Sequence, residues 1–175
     1  CGEILKQISK NPYTEKEDKF FDKASIKIIV HEIVDSFKDL SKKKIIINEE
    51  NYKKDYLITK KIEIIYSLKN IIDNALKFSS NKVEIFLLSN QDELRIKVED
   101  DGVGFSRQIL GFLGDPYINK RDIDNNKEGL GLGIFIAKVF LERLSAIINF
   151  YNLEDRGAAV EISWQKKDLI NLKLI

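Results

Sequence analysis

Apolar positions along the chain switch between a helical and a strand period. After Ser25, a residue suited to capping a helix, Ile26, Ile29, Val30, Ile33, Val34 and Phe37 recur at helical spacing on one face. Lys44 to Asn48, with three consecutive isoleucines, reads as a strand, and Tyr56 to Ile58 as a second, shorter one. A long helix is expected from Thr59 to about Phe78, with Ile62, Ile65, Leu68, Ile72, Ala75 and Leu76 on its apolar face. Lys82 to Ser89 and Glu93 to Asp100 read as strands joined by the turn residues Asn90, Gln91 and Asp92. Ser106 to Leu113 predicts a short helix. Gly114 to Glu128 is polar and long for a loop in a compact domain, as lids and disordered segments are. A helix from about Leu130 to Leu144 and strands near Ala146 to Asn152 and Ala158 to Trp164 complete the pattern. Without a regular βαβ alternation, these elements predict an α/β (α+β) two-layer sandwich, with helices on one face of a mixed or antiparallel sheet.

Residues 1–19 read differently. Cys1 to Ser9 has the look of a helix end, with Ile4, Leu5 and Ile8 on one side. Asn11-Pro12-Tyr13 breaks it, and a polar linker follows. The core domain is expected over 20–166, with 167–175 as a tail. The whole chain has 175 residues, 43% of them hydrophobic and 33% charged, which suits one globular domain with an appendage. A net charge of +1 gives no bulk attraction to nucleic acid or membrane. No apolar run reaches the ~18 residues of a membrane span. A single cysteine forms no internal disulfide, which suggests a reducing compartment. A chain that starts at Cys1 and holds no methionine is expected to be part of a longer protein.

Three segments carry candidate chemistry. On the long helix, Asn70, Asn74 and Lys77 fall on a face other than the apolar one. An amide oxygen suits a hard cation such as Mg²⁺, and an ammonium suits phosphate. The same pattern also fits a solvated helix face. In the second segment, Leu94, Ile96 and Val98 alternate with Arg95, Lys97 and Glu99, so Asp100 has the parity of the apolar set. A core-facing acid needs a hydrogen-bond donor, which an adenine amino group supplies and local backbone N–H groups supply equally well. Gly102 and Gly104 allow a sharp turn and close approach to a flat base. The third segment, Gly129-Leu130-Gly131-Leu132-Gly133, opens a helix and either offers bare backbone N–H groups to phosphate or lets the helix pack closely through small residues. It is neither a dinucleotide fingerprint nor a Walker loop.

In this order, the three segments resemble the boxes of the ATP-binding catalytic domain of sensor histidine kinases, within the gyrase–Hsp90–histidine kinase–MutL superfamily. Asn70 to Phe78 resembles the N box and Asp100 to Gly104 the G1 box. Gly114 to Tyr117 lies where the F box does, with Tyr117 in place of the usual Phe, and Gly129 to Gly133 resembles the G2 box. The RegB/PrrB-type redox-responsive sensor kinases are more similar still, through Leu113 to Tyr117, Gly131 to Ala137, Leu141-Glu-Arg and the ending Gly157 to Trp164. Cys1 to Lys6 is similar to the end of that subgroup's dimerisation helix, where a redox-active cysteine lies.

The resemblance implies a Bergerat-type fold of three helices over a mixed sheet of about five strands, binding ATP with Mg²⁺. Asn74 would hold the metal, and Asn70 and Lys77 the phosphates. Asp100 would accept from the adenine N6 amino group. Gly102, Val103, Gly104 and Phe78 would border the base, with Tyr117 nearby, and residues Gly129 to Gly133 would flank the phosphates. Lys120 or Arg121, on the lid, would reach the γ-phosphate. The implied partners are an upstream dimerisation domain bearing the phosphoacceptor histidine and a response regulator. The implied location is the cytoplasmic side of a bacterial inner membrane, in an anchored homodimer. His31, the single histidine, lies off the apolar stripe in a motif that is neither the acceptor nor a zinc site, and reads as a surface residue. Two alternatives share the fold: an anti-sigma-type serine kinase and a nucleotide-binding module without turnover. A gyrase-like or chaperone ATPase fits less well, because an amide at Asn70 is no base for activating water.

Overall fold

The computed structural model of the chain describes residues 23–106, 110 and 132–171. Predictions for the N-terminal segment, for most of the Ser106 to Leu113 helix and for the loop through Glu128 therefore lie outside the described residues. So do Tyr117, Lys120, Arg121, Gly129, Leu130, Gly131 and the side chain of Leu132.

The elements run β1 (Lys23–Ser25), α1 (Ile26–Lys38), β2 (Lys44–Asn48), β3 (Leu57–Thr59), α2 (Ile62–Phe78), β4 (Lys82–Ser89), β5 (Glu93–Asp100), α3 (Leu132–Arg143), β6 (Ile147–Asn152), β7 (Ala158–Gln165) and α4 (Lys166–Asn171). Strands β2-β4-β5-β7-β6 form one five-stranded sheet. The β2–β4 pair is parallel and the others antiparallel, so the sheet is mixed, as expected. Strands β1 and β3 form a separate antiparallel pair.

Register decides what is inside. Ile85 lies opposite Val98, which lies opposite Val160, and Leu94 lies opposite Trp164. These residues face one way and join α1, α2 and α3 in a single apolar core. The indole of buried Trp164 donates to Leu144 O at 3.1 Å, so its one polar atom is satisfied. Ser25 caps α1 as predicted, its hydroxyl accepting from Lys27 N.

Two boundaries differ from the sequence pattern. The short strand is Leu57–Thr59 rather than Tyr56 to Ile58, and the long helix starts at Ile62 rather than Thr59. Thr59 pairs with Lys23 across the small sheet, which holds it extended, and Lys61 is extended as well. The buried face of α2 is also rotated. Ile62 is 69% exposed, while Ile64 and Ile71 are buried beside Leu68, Ile72, Ala75 and Leu76. Helix α3 causes the rotation by packing on the side of Ser67, whose hydroxyl donates to Ala137 O at 3.2 Å. Tyr66 and Phe140 meet edge-to-face across the same helix pair. Helix α4, which forms where a tail was expected, buries Leu169 under β7.

Candidate functional site

Helix α2 presents Asn70 and Asn74 one turn apart. Each amide donates to the backbone carbonyl four residues earlier, Asn70 Nδ2 to Tyr66 O at 2.9 Å and Asn74 Nδ2 to Asn70 O at 2.8 Å. Those bonds fix both amides with the oxygen end turned away from the helix backbone. Oδ1 of Asn74 is buried, and among the described residues it has no hydrogen-bond partner. Such an oxygen costs free energy until a donor or cation reaches it. Oδ1 of Asn70 sits only 2.6 Å from where a β-carbon on Gly133 would stand, so the first turn of α3 meets α2 closely through a glycine. Lys77 is exposed and pairs with Asp73 at 2.7 Å, an i,i+4 surface contact that constrains it little.

Between α2, the ends of β5 and β7, residues 103–106 and α3 lies a cavity of about 260 Å³. Its walls are mostly apolar, among them Ile71, Ala75, Phe78, Val98, Ile134 and Val160, and its polar side chains include Asn74 and Asp100. An apolar slot with a few placed polar groups is the usual form of a small-molecule site.

Asp100 points inward as its parity required and is only 9% exposed. Burial pushes its carboxyl above the usual carboxylate range. The N–H groups of Gly102 and Ala158 oppose that shift, and neighbouring Asp101 adds to it. The bond from Gly102 N to Asp100 Oδ1 is 2.8 Å. Both sequence readings of Asp100 are thus compatible: it receives local backbone N–H groups and still faces the cavity.

The glycines behave less simply than close approach to a base would suggest. At Gly102 a β-carbon would run into Phe78 O and stand 2.7 Å from Asp100 Oδ1. At Gly104, with φ of +79°, it would stand 2.8 Å from Asn152 Oδ1. Both positions are reserved for the protein's own atoms. Val103 is 71% exposed at the cavity rim.

Several supporting residues carried no signal in the sequence. Asp101 accepts from the backbone N–H groups of Ser80, Asn81 and Lys82 at 2.8, 2.9 and 3.2 Å. Burial pushes its carboxyl up, but these donors outweigh that and hold it down to about 2. A depressed folded value means that Asp101 stabilises the fold above the ordinary carboxylate range, and that this contribution disappears as pH falls through about 2. Asp101→Ala is therefore expected to cost about 1–2 kcal/mol at pH 7, after allowing for solvent screening, and progressively less in acid. Urea titrations of both proteins from pH 7 to pH 2 would check this, and a gap independent of pH would refute it. Arg156 donates to Gly102 O and to Ser80 Oγ, and Lys43 Nζ donates to the carbonyls of Leu76 and Ser79 at the C-terminal end of α2. Gly157 has φ of +111°, and a β-carbon there would overlap Asp100 O. Only the fold brings these positions to residues 78–82 and 100–104. His31 is on the surface as expected, 2.6 Å from Glu49.

The family described as "Histidine kinase-, DNA gyrase B-, and HSP90-like ATPase" matches residues 59–168, a stretch that contains every described wall of the cavity. The chain belongs to this family. Within it, the chain is 34% identical over 131 residues to the sensor histidine kinase RegB of Cereibacter sphaeroides, covering 65% of this chain and 28% of RegB. It is 23% identical over 153 residues to a putative sensor histidine kinase, NtrY-like, of Rickettsia prowazekii, covering 85% of this chain and 25% of that protein. The chain thus spans about a quarter of the length of these curated relatives. In fold it matches the catalytic domain of histidine kinase ThkA, with a TM-score of 0.69 at 17% identity over 82% of this chain and 96% of that one. The mycobacterial sensor histidine kinase MprB matches with a TM-score of 0.63 at 14% identity, over 82% and 95%. The mixed sheet and helical layer match those of histidine kinase catalytic domains, and membership of the ATPase family supports ATP as a ligand of the domain.

Proposed function

We propose that this is the catalytic domain of a two-component sensor histidine kinase, and that it transfers the γ-phosphate of ATP to a histidine outside these 175 residues. One observation carries the reading. One apolar cavity is lined by a buried carboxylate, Asp100, and by Asn74, whose buried amide oxygen Oδ1 has no hydrogen-bond partner among the described residues. The first suits an exocyclic amino group of a base. The second, a neutral oxygen, fits one ligand position of Mg²⁺, which takes few protein ligands when it sits between phosphates.

In this reading Asp100 accepts from the adenine N6 amino group, and Phe78, Gly102, Val103 and Gly104 border the ring. Asn74 holds the metal, whose contribution is to neutralise phosphate charge. Asn70 and Lys77 contact the phosphates, Lys77 by exchanging Asp73 for a stronger anion. The glycines through Gly133 flank the phosphates, and Lys120 or Arg121 reaches the γ-phosphate. An amide at Asn70 does not deprotonate water strongly, which favours transfer to an imidazole over hydrolysis. His31, held against Glu49 on the surface of α1, is no acceptor, so the acceptor belongs to a dimerisation domain. A response regulator receives the phosphoryl group next. The whole protein is membrane-anchored and dimeric in this reading, and among the described residues no helix is long and apolar enough to cross a membrane.

Calorimetric titration with a non-hydrolysable ATP analogue, with and without Mg²⁺, tests the reading. Binding should tighten with Mg²⁺. Asn74→Ala should keep the metal-free affinity and lose about tenfold of the gain from the metal, as expected for one lost ligand. An equal response to Mg²⁺ in both proteins would remove Asn74 from the metal site, and no binding at all would remove the nucleotide.

A further inference from the structure

Asn152 closes the sheet's edge strand β6 and lies opposite Ala158 in register. Its side chain makes two hydrogen bonds to one residue that belongs to no strand. Oδ1 accepts from Phe105 N at 2.7 Å, and Nδ2 donates to Phe105 O at 2.8 Å. The amide therefore acts on Phe105 as a strand neighbour's main chain would, carrying β-type pairing past the sheet edge onto the segment after Gly104. Two independent features fit this. Gly104, with φ of +79°, leaves room for the amide where a β-carbon would stand 2.8 Å from Oδ1. Phe150, two positions before Asn152 on the same strand, meets the ring of Phe105 edge-to-face at 6.3 Å and 83°. Strand β6 thus grips Phe105 by backbone and by ring, and Phe105 lines the cavity together with Gly104.

We propose that Asn152 is a positioning residue that fixes Phe105 as a wall of the base pocket, an inference that rests on the nucleotide reading of the cavity. Asn152 touches no ligand and acts through Phe105. Few side chains can replace it. Aspartate keeps the acceptor but loses the donor and sets a negative charge against Phe105 O. Serine is too short to reach both atoms, and glutamine is longer by one methylene.

The test is competition binding of adenosine, ADP and a non-hydrolysable ATP analogue to wild type, Asn152→Ala and Asn152→Asp, with the fraction of binding-competent protein read from the titration stoichiometry. The expected result is a Kd raised about tenfold in both variants, by the same factor for all three ligands, at unchanged stoichiometry. A merely structural role would lower the stability of the fold and the competent fraction and leave Kd alone. Should Asn152→Ala fail to fold, the isosteric Asn152→Asp carries the test by the same readout. Wild-type affinity in the folded variants overturns the inference while the nucleotide site stands. A loss confined to the ligands with phosphates also overturns it, since that places the effect away from the base. Failure of wild type itself to bind overturns the nucleotide reading and this inference with it.

Discussion

Gly157→Ala is expected to lower the unfolding free energy by about 3–5 kcal/mol, a large part of what a domain this size has to lose. Two effects add. At φ of +111° an L-residue is strained, which costs about 1–3 kcal/mol. Its β-carbon would also overlap the carbonyl oxygen of Asp100, a backbone atom in a paired strand that moves only if β5 moves with it. Guanidinium titration would show the midpoint fall. Arg156→Ala is the comparison: it removes the bonds to Gly102 O and Ser80 Oγ but leaves the backbone in place, so it should lose far less. Equal losses in the two variants would mean that the turn relaxes freely around a β-carbon, contrary to the geometry.

Asp100→Ala is expected to weaken ATP-analogue binding about 100-fold, or about 2.7 kcal/mol, because it would remove the buried charge-assisted hydrogen bond to the base that the proposed function assigns to Asp100. Asp100→Asn separates binding from stability. Burial raises the folded carboxyl above its ordinary value, so the ionised form is penalised in the native state. The sign follows directly. At neutral pH the charge costs stability. That cost is relieved as pH falls through the raised folded value, and it is absent below the unfolded one. A neutral amide that still accepts from Gly102 N should therefore leave the ligand-free domain as stable as wild type or more so, and yet bind nucleotide more weakly. In wild type, affinity should fall in acid once Asp100 takes up its proton. Thermal melts and titrations of the two variants at pH 7 would check both halves. An Asp100→Asn protein that is less stable but binds normally would reverse the roles assigned here.

Much of the fold was legible because its elements are strongly periodic. Strands β4 and β5 fall at the predicted residues, and Ser25 caps the predicted helix. Asp100 was legible for the same reason, since strand parity alone turns it inward. Asn70 and Asn74 stood out through their helical spacing and their place in a family pattern. Helix α2 shows where periodicity fails. Its pattern admits two overlapping apolar faces, and the position of α3 selects the one with Ile64 and Ile71 and leaves Ile62 outside.

The sequence by itself determined the order of the elements, the inward acid and the amide pair, because each depends on neighbours a few positions away. The tertiary structure alone decided what holds them in place. Lys43 reaches the end of α2, Asp101 gathers the N–H groups of residues 80–82, Arg156 ties Gly102 to Ser80, and Asn152 grips Phe105. Most of these partners lie roughly 20 to 76 residues apart along the chain, so no local pattern records them. Long polar side chains look alike in a sequence until the backbone groups they satisfy have been brought beside them.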